Sequence, residues 1–418
     1  MVCCYKQTFM NTTKPKRKRN NGFSKSNHAG GASRRRPTNT NRGGGRKKAT
    51  SSIDPNTLIK KAVIKEETKY VAPRSFDEMA IAPNLKANLH AKGFKNPTQI
   101  QNDTFEHLIG GRDMLGVANT GTGKTGAFLI PIIHQLLNTD QPFQTLVVVP
   151  TRELALQVEQ EFRSLTYKLG LYSSSFIGGT NVGADLKKLS RKNHLIIGTP
   201  GRLMDMADRG ALRLQNISTL VLDEFDRMLD MGFVNDIKKM VKMMKTRKQT
   251  MLFSATLDKT QKSLISELLH NPIEIKVSSG TSTSEQIDQD IIRVPHGADK
   301  FVMLMDLLNE SQAPKVLIFA ETKRMVDKVG KKLNQSGIKT DIIHGDKSQN
   351  YRSKALDKFK KGNVQILVAT DVAARGIDVN NISHVINYQL PLTFDSYVHR
   401  IGRTGRAGQT GKAYTFID

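Results

Sequence analysis

ANTGTGKT at 118–125 is the stretch whose reading decides the fold. It follows the apolar run DMLGVA (113–118) and opens a helical pattern over 125–138, the strand–turn–helix context that a phosphate-binding loop requires. Gly121 and Gly123 let the backbone wrap a phosphate, while loop amides and the helix N-terminus point at it. Ala118, Asn119, Thr120, Gly121, Thr122, Gly123, Lys124 and Thr125 are therefore the expected nucleotide-holding residues. Lys124 is expected to reach the β and γ phosphates and Thr125 to ligate Mg²⁺. Ala118 stands where the general pattern has its first glycine. A chance glycine turn is the bland alternative, and the flanking strand and helix weigh against it.

A second phosphate-handling segment, HRIGRTGR, lies at 399–406, with Arg403 279 positions after Lys124. Arg403 and Arg406, spaced i and i+3, suggest a second domain that closes on the same triphosphate. Such a layout belongs to a motor or switch driven by nucleotide hydrolysis. Taken alone, the two arginines read as surface helix charges.

The run VLDEFD at 221–226 is an apolar strand ending in acids. Carboxylates at a strand's C-terminal end sit where ligands of open α/β sheets bind. Asp223 is expected to hold Mg²⁺, and Glu224 to position and deprotonate the attacking water.

Working outward, strands are expected at 113–118, 145–150, 173–178, 194–199, 219–224 and 249–255, with helical stretches between them such as 125–138 and 152–169. A second series falls at 290–295, 315–320, 339–345, 364–370, 384–389 and 412–417. Several are continuous apolar runs, the mark of parallel strands covered on both faces. Alternation with helices predicts two tandem doubly wound parallel sheets. The polar string SSGTSTSEQ (278–286) reads as the linker between domains at 73–277 and 287–418. The last expected strand ends one residue before Asp418, so no C-terminal extension is expected.

Of 418 residues, the first fifty hold 14 Lys or Arg and no acid, a large share of the net charge of +26. That segment is poor in large apolar side chains and is expected to be disordered, as part of a basic tail over 1–72. A mobile cation of this kind suits phosphate backbones, with a solubilising tail as the bland alternative. The two cysteines, Cys3 and Cys4, have no metal spacing and fit a reducing compartment. Neither a signal peptide nor a transmembrane run is present, so a cytoplasmic protein is expected, nuclear if eukaryotic.

From about 73 to 418 the chain resembles the DEAD-box RNA helicases, in which two RecA-like domains act as one ATPase. The resemblance rests on GFKNPTQIQ (93–101) with Phe76 upstream, PTRELALQ (150–157), Gly178-Gly179, TPGR (199–202), SAT (254–256), ATDVAARGID (369–378) and HRIGRTGR. Each string is weak alone; their order and spacing are specific. One departure is DEFD for DEAD, which puts Phe225 at a small position beside the SAT strand.

The resemblance implies ATP with Mg²⁺ as cofactor, RNA as partner, and local duplex separation as activity. Gln99 would read the adenine edge, Phe76 would stack on it, and Thr98 would support that loop. Asp378 would meet the ribose. Arg403 and Arg406 would act as arginine fingers, and His399 and Asp226 would link to Ser254 and Thr256. Arg152, Gly179, Thr199 and Arg202, with Gly345, Arg352 and Thr370, would hold single-stranded RNA or a short duplex without reading its bases. A monomeric motor is expected, with ribosomal or mRNA complexes as targets. Two rivals are an RNA annealer or clamp that works through the tail, and a DNA helicase with a similar motor.

Overall fold

The structure is a computed structural model that describes residues 51–62, 70–119, 121–138, 145–277, 286–374, 379, 381–405 and 410–418. The basic run before residue 51 and most of the expected linker lie outside the described residues.

Seven strands form the first sheet: β1 (Met114–Ala118), β2 (Thr145–Val148), β3 (Ser173–Phe176), β4 (Leu195–Gly198), β5 (Thr219–Leu222), β6 (Gln249–Ser254) and β7 (Ile273–Val277). Their order is β3-β4-β2-β5-β6-β1-β7, with every neighbouring pair parallel. Six strands form the second: β8 (Ile287–Arg293), β9 (Val316–Phe319), β10 (Thr340–Ile343), β11 (Ile366–Ala369), β12 (His384–Asn387) and β13 (Gly411–Ile417). Here the order is β10-β11-β9-β12-β13-β8, again parallel throughout. Two tandem doubly wound sheets are thus present, as the alternation of strands and helices predicts.

Strands β2, β4, β5, β9 and β11 are buried along their whole length, because helices cover both faces of each sheet. Each face has its own apolar cluster. One unites Phe128, Phe162 and Phe253 on one side of the first sheet; the other unites Leu222, Phe225, Leu252 and Met228 on the opposite side.

Strand β7 was not expected from the sequence. Its IEIKV pattern alternates half-buried and exposed residues, as suits an edge strand pairing only with β1.

A second difference lies in the expected tail. Residues 51–62 pack against the second sheet: Pro55–Leu58 forms a 3₁₀ turn, and Lys60 makes an antiparallel bridge to Gln289 on the β8 edge. Leu58 and Ile53 join Ile287, Tyr397 and Ile401 in a buried cluster. The Ala62 amide donates to Asp288 Oδ1 at 2.8 Å, and Ser51 Oγ to the Pro391 carbonyl at 2.7 Å. Burial of Ile53 and Leu58 in that cluster, with these hydrogen bonds to the edge and its neighbourhood, holds so polar a segment in place.

The Phe225 ring is 1% exposed and finds its room among Leu222 and Leu252. Phe225→Ala is expected to destabilise the first sheet's domain by about 2–4 kcal/mol through the cavity it leaves. A denaturant titration showing an unchanged midpoint would contradict that.

Candidate nucleotide and RNA site

The chemistry gathers at the C-terminal ends of β1, β5 and β6. Strand β6 lies between the other two, with Val117 opposite Ser254 and Leu222 opposite Leu252. Ala118 and Asp223 are therefore two strand spacings apart, roughly 10 Å, which is the scale of a triphosphate with its metal.

After β1 the chain turns through Gly121 (φ +90°) and Gly123 (φ +94°), both in the left-handed region that favours glycine. A Cβ on Gly123 would stand 2.6 Å from Thr98 Oγ1 and 2.8 Å from Gln101 Nε2. The segment 93–101 is pressed against the loop from behind. Thr98 caps the helix Gln99–Ile109 in a capping box with Gln101. The Gln101 side chain accepts from the Thr98 amide at 3.0 Å and donates to the Gly123 carbonyl at 3.1 Å. Gln99, the residue expected to read the base, is half-buried at the start of that helix. Gln101 is the glutamine that touches the phosphate loop. Phe76 is 1% exposed, packed into the core below, with its amide bonded to the Lys95 carbonyl.

Lys124 opens the helix Lys124–Leu137 and is buried, its Nζ donating to the Ala118 carbonyl at 3.0 Å. Thr125 beside it is half-buried. Thr122 Oγ1 closes the loop onto the Asn119 carbonyl at 2.9 Å. Thr120 lies outside the described residues.

After β5 the chain reverses sharply. Glu224 has φ +52°, a left-handed conformation that costs a non-glycine residue about 1–2 kcal/mol. The turn is held by the Asp223 amide on the Val148 carbonyl at 3.0 Å and the Glu224 amide on Asp223 Oδ1 at 2.9 Å. Both carboxylates are buried.

Their electrostatics differ. Burial pushes the Asp223 carboxyl up to about 6, against the pull of Lys124. Glu224 is also penalised by burial, yet Arg227, Lys124 and Arg403 together hold it below the ordinary carboxylate range. Arg227 Nη1 donates to Glu224 Oε2 at 3.0 Å. So Glu224 stays an anion, as a proton acceptor must, while Asp223 lacks a full counter-charge.

That lack bears on a metal. A buried carboxylate at the end of β5, short of counter-charge, fits Mg²⁺, which takes one or two carboxylates and substrate phosphates rather than a full protein cage. Asp226 Oδ1 is a further buried oxygen without a hydrogen bond.

The raised Asp223 pKa has a stability consequence. Its folded-state value lies above the ordinary 3.8, so its favourable contribution is complete below about pH 4 and is lost as pH rises through about 6. Asp223→Asn removes the buried charge but keeps the oxygen that accepts from the Glu224 amide. The variant is expected to melt several degrees higher than the parent at pH 7.5 without nucleotide or metal, and to have no ATPase activity. A lower melting temperature would count against this account of Asp223.

Ser254 is fully buried and donates to the Thr256 carbonyl at 2.7 Å; Thr256 Oγ1 donates to Asp226 Oδ2 at 3.3 Å. Asp226 is thereby tied to the SAT segment. His399 lines a crevice with Arg227, Arg400 and Arg403, and its charge, like that of Arg403, acts on Glu224. The second sheet thus brings Arg403 to the first sheet's Glu224.

Arg403 is 4% exposed, with Nε on the His399 carbonyl at 3.3 Å. Arg400, which the sequence reading passed over, clamps Asp371 with two bonds of 2.6 Å, reaches Asn387 at 3.2 Å and lies over the Phe319 ring. This fixes the helix Phe394–Ile401 and hence the placement of Arg403. Its only signal in the sequence is its position three residues before Arg403. Arg406 and Asp378 lie outside the described residues.

The expected RNA residues divide between the sheets. Arg152 opens the helix Arg152–Leu165 and spreads its guanidinium under the Gly178–Gly179 turn, where Gly179 (φ +82°) has room for no side chain. Thr199 stands at the N-cap position of the helix Pro200–Asp208, without a side-chain capping bond. Arg202 donates to the Thr180 carbonyl at 2.8 Å and pairs with Asp185 at 3.4 Å. In the second sheet, Gly345 is exposed and Thr370 is half-buried at the end of β11.

Arg352 is placed differently from a free phosphate ligand. It pairs with Glu153 of the first sheet's helix at 2.8 Å, and Gln349 donates to the same carboxylate at 3.1 Å. Glu153 is a residue the sequence reading did not single out. It sits next to Arg152, so an ion pair between the two halves adjoins the expected RNA path.

The sequence matches the DEAD/DEAH box helicase family over residues 98–264 and the helicase conserved C-terminal domain over 299–408. An ATP-dependent RNA helicase, CshA, of Listeria monocytogenes is 40% identical over 343 residues, covering 82% of this chain and 66% of that protein. The DEAD-box ATP-dependent RNA helicase CshA of Geobacillus kaustophilus is 42% identical over 348 residues, with 82% and 73% covered. The chain thus spans roughly two thirds to three quarters of these relatives' length. Among solved structures, Dbp5 of S. cerevisiae bound to RNA and ADP BeF3 superimposes with a TM-score of 0.73 at 31% identity, covering 82% of this chain and 89% of that one. Mss116p bound to ssRNA and AMP-PNP gives 0.74 at 30% identity, with 84% and 76% covered.

Proposed function

Since the chain belongs to the DEAD-box family of ATP-dependent RNA helicases, we propose that it hydrolyses ATP in response to RNA and couples that hydrolysis to local duplex separation and RNP remodelling. One observation carries the reading: Arg227, which holds Glu224 of the first sheet at 3.0 Å, shares one crevice with His399 and Arg403 of the second. Hydrolysis that needs both halves can be switched by whatever brings them together.

In this reading Lys124 leaves the Ala118 carbonyl to hold the β and γ phosphates, and Thr125 and Asp223 hold Mg²⁺. Bound Mg²⁺ would supply charge that steadies the triphosphate. Glu224 accepts a proton from the attacking water, and Arg403 with Arg406 neutralises charge on the transferred group. Thr98 and Gln99 with Gln101 form the wall on which the base would lie. Phe76, buried in the core below them, supports that wall and does not itself stack on the base in this arrangement, and Asp378 would meet the ribose. Arg152, Gly179, Thr199, Arg202, Gly345 and Thr370 line the strand's path, and Arg352 would join them on leaving its pair with Glu153. Their amides, hydroxyls and guanidinium groups hold phosphate and sugar rather than bases, so the grip is independent of sequence. Residues 73–277 and 287–418 form the two domains, joined by 278–286, in a motor that works as a monomer on ribosomal or mRNA complexes.

No helix among the described residues is long and apolar enough to cross a membrane, and a cytoplasmic place of action fits the bacterial relatives. The decisive test is ATP turnover by the purified protein with and without RNA. Strong stimulation by RNA and none by DNA supports the reading; RNA binding without turnover would favour an annealer.

The basic tail adds an expectation of its own. With 14 cations and no acid in fifty residues, it should raise affinity for any RNA. Each phosphate neutralised on a single strand contributes about −0.7 to the slope of log K against log salt, so four engaged cations contribute roughly three units. Deleting residues 1–50 is expected to flatten that slope and to leave turnover at saturating RNA unchanged. Equal slopes would show that the tail is no RNA anchor.

A further inference from the structure

A second basic site lies away from the nucleotide cleft, at the far end of the first sheet's edge strand. Strand β3 borders the sheet, and its first residues open on a cavity of about 460 Å³ lined by Arg163, Tyr172, Ser173, Lys188, Arg191 and Lys192. Four of those six are cations, and the one acid in the lining is Glu159. Glu159 is already engaged: Arg163 donates to it at 2.6 Å and Ser175 Oγ at 2.5 Å. Its charge is thus taken up by Arg163, and Lys188 is held only loosely by Asp185, at 3.7 Å. The cavity keeps a net positive potential.

Its floor is built rather than incidental. Asn193 is 2% exposed and ties the loop together, donating to the Lys188 and Arg191 carbonyls at 2.8 and 2.9 Å and accepting from Ser174 Oγ at 2.6 Å. Ser173 beside it is 7% exposed, and its Oγ has no hydrogen-bond partner. A buried hydroxyl without a partner is costly, and a ligand oxygen would satisfy it. Tyr172 is 56% exposed at the rim, with its ring stacked on His194. A buried hydroxyl, several cations and a planar ring at the mouth together suit a phosphodiester with its base.

Two elements lead from the expected RNA path to this cavity. The helix Arg152–Leu165 begins on that path with Arg152 and reaches the cavity with Arg163, eleven residues on. At 1.5 Å per residue the two ends are about 17 Å apart. The edge strand does the same, from Ser173 in the cavity to Gly179 at the path, within about 20 Å at strand spacing.

We propose that this cavity is a second RNA-backbone site, which takes a phosphodiester of the strand after it leaves the main path beside Arg152 and Gly179. The inference rests on the helicase reading above. It predicts that RNA just long enough to fill the main path gains nothing from the cavity, whereas a longer strand gains affinity and salt dependence from it.

The test is Arg191→Glu/Lys192→Glu in the full chain, with equilibrium binding of single-stranded RNAs of about 6 and 20 nucleotides at several salt concentrations, with a non-hydrolysable ATP analogue. A matched control, Lys245→Glu/Lys248→Glu, makes the same charge change near the start of β6, four strands away in the sheet. The pocket variant is expected to bind the long RNA tenfold or more weakly, and to bind the short RNA as the parent does. Its salt slope on the long RNA should flatten by about 0.7 or more, because the phosphate held in the cavity is no longer neutralised. The control is expected to bind both RNAs as the parent does. Equal loss on both lengths, equal loss in the control, or no loss on the long RNA overturns the second site. If neither RNA binds more tightly with the analogue than without it, the helicase reading itself fails, which is a different result. Tyr172→Ala, which leaves the charge unchanged, is expected to lower long-RNA affinity alone.

Discussion

Glu224→Gln is expected to hold ATP and RNA together while its turnover drops by about 10²–10⁴-fold, the usual worth of a positioned base. The reason lies in its surroundings. Burial opposes its charge, yet three cations hold it ionised, so the protein maintains a proton acceptor at a cost it does not need for folding. The glutamine is nearly isosteric and can still accept from Arg227, so the left-handed turn at 224 should persist. Lys124→Ala should lose turnover as well, but by another route: the buried ammonium proposed to bind phosphate is gone, so ATP itself is expected to be released. The measurement is RNA affinity with and without ATP for both variants. Tighter RNA binding with ATP is expected for the glutamine variant and none for the alanine variant. If Glu224→Gln gains no RNA affinity from ATP, Glu224 does not act after binding and its assignment is wrong.

Arg403→Ala is expected to lower RNA-stimulated turnover by about 10³-fold or more, the range for an arginine finger, with the melting temperature unchanged. Its neighbour provides the contrast. Arg400 is paired with Asp371 by two short hydrogen bonds and is 3% exposed, so Arg400→Ala leaves a carboxylate without its cation. Asp371 is 30% exposed, so losing its cation costs less than the roughly 3–5 kcal/mol of a fully buried pair, and the second sheet's domain should still melt earlier than the parent's. Turnover measured beside thermal melting separates the two: Arg403→Ala fails in chemistry with its fold intact, Arg400→Ala fails in folding. A stable Arg403→Ala variant with near-parental turnover would remove Arg403 from the catalytic set.

Much of this was legible in the chain. Runs such as TLVVV and KVLIF are apolar on both faces, and only a parallel strand between two helical layers buries both, so the sheets and their number of layers follow from composition along the strand. The phosphate loop was legible because its two glycines serve a backbone need that few sequences share. The acids at 223 and 224 were legible from their position at the end of an apolar run.

Other features depend on distance in space, which a sequence does not hold. Gln99 and Gln101 lie in one motif on one helical turn. Each residue turns a helix by about 100°, so which glutamine faces the loop follows from how that helix docks, and the Gly123 carbonyl meets Gln101. The edge strand β7 escaped notice because only its pairing with β1 makes IEIKV a strand. Residues 51–62 read as tail, since two apolar side chains, Ile53 and Leu58, cannot bury themselves; the β8 edge and the Tyr397 cluster supply the partner surface. The ion pair of Glu153 with Arg352 joins residues 199 positions apart in the chain, and the cations around Glu224 come from both sheets. The sequence alone determined every strand but the edge strand β7, their layers and the residues capable of phosphate chemistry, because those depend on local backbone and burial. Which of those residues meet was decided only by the tertiary structure, because charge and hydrogen bonding act over a few ångströms of space whatever the separation along the chain.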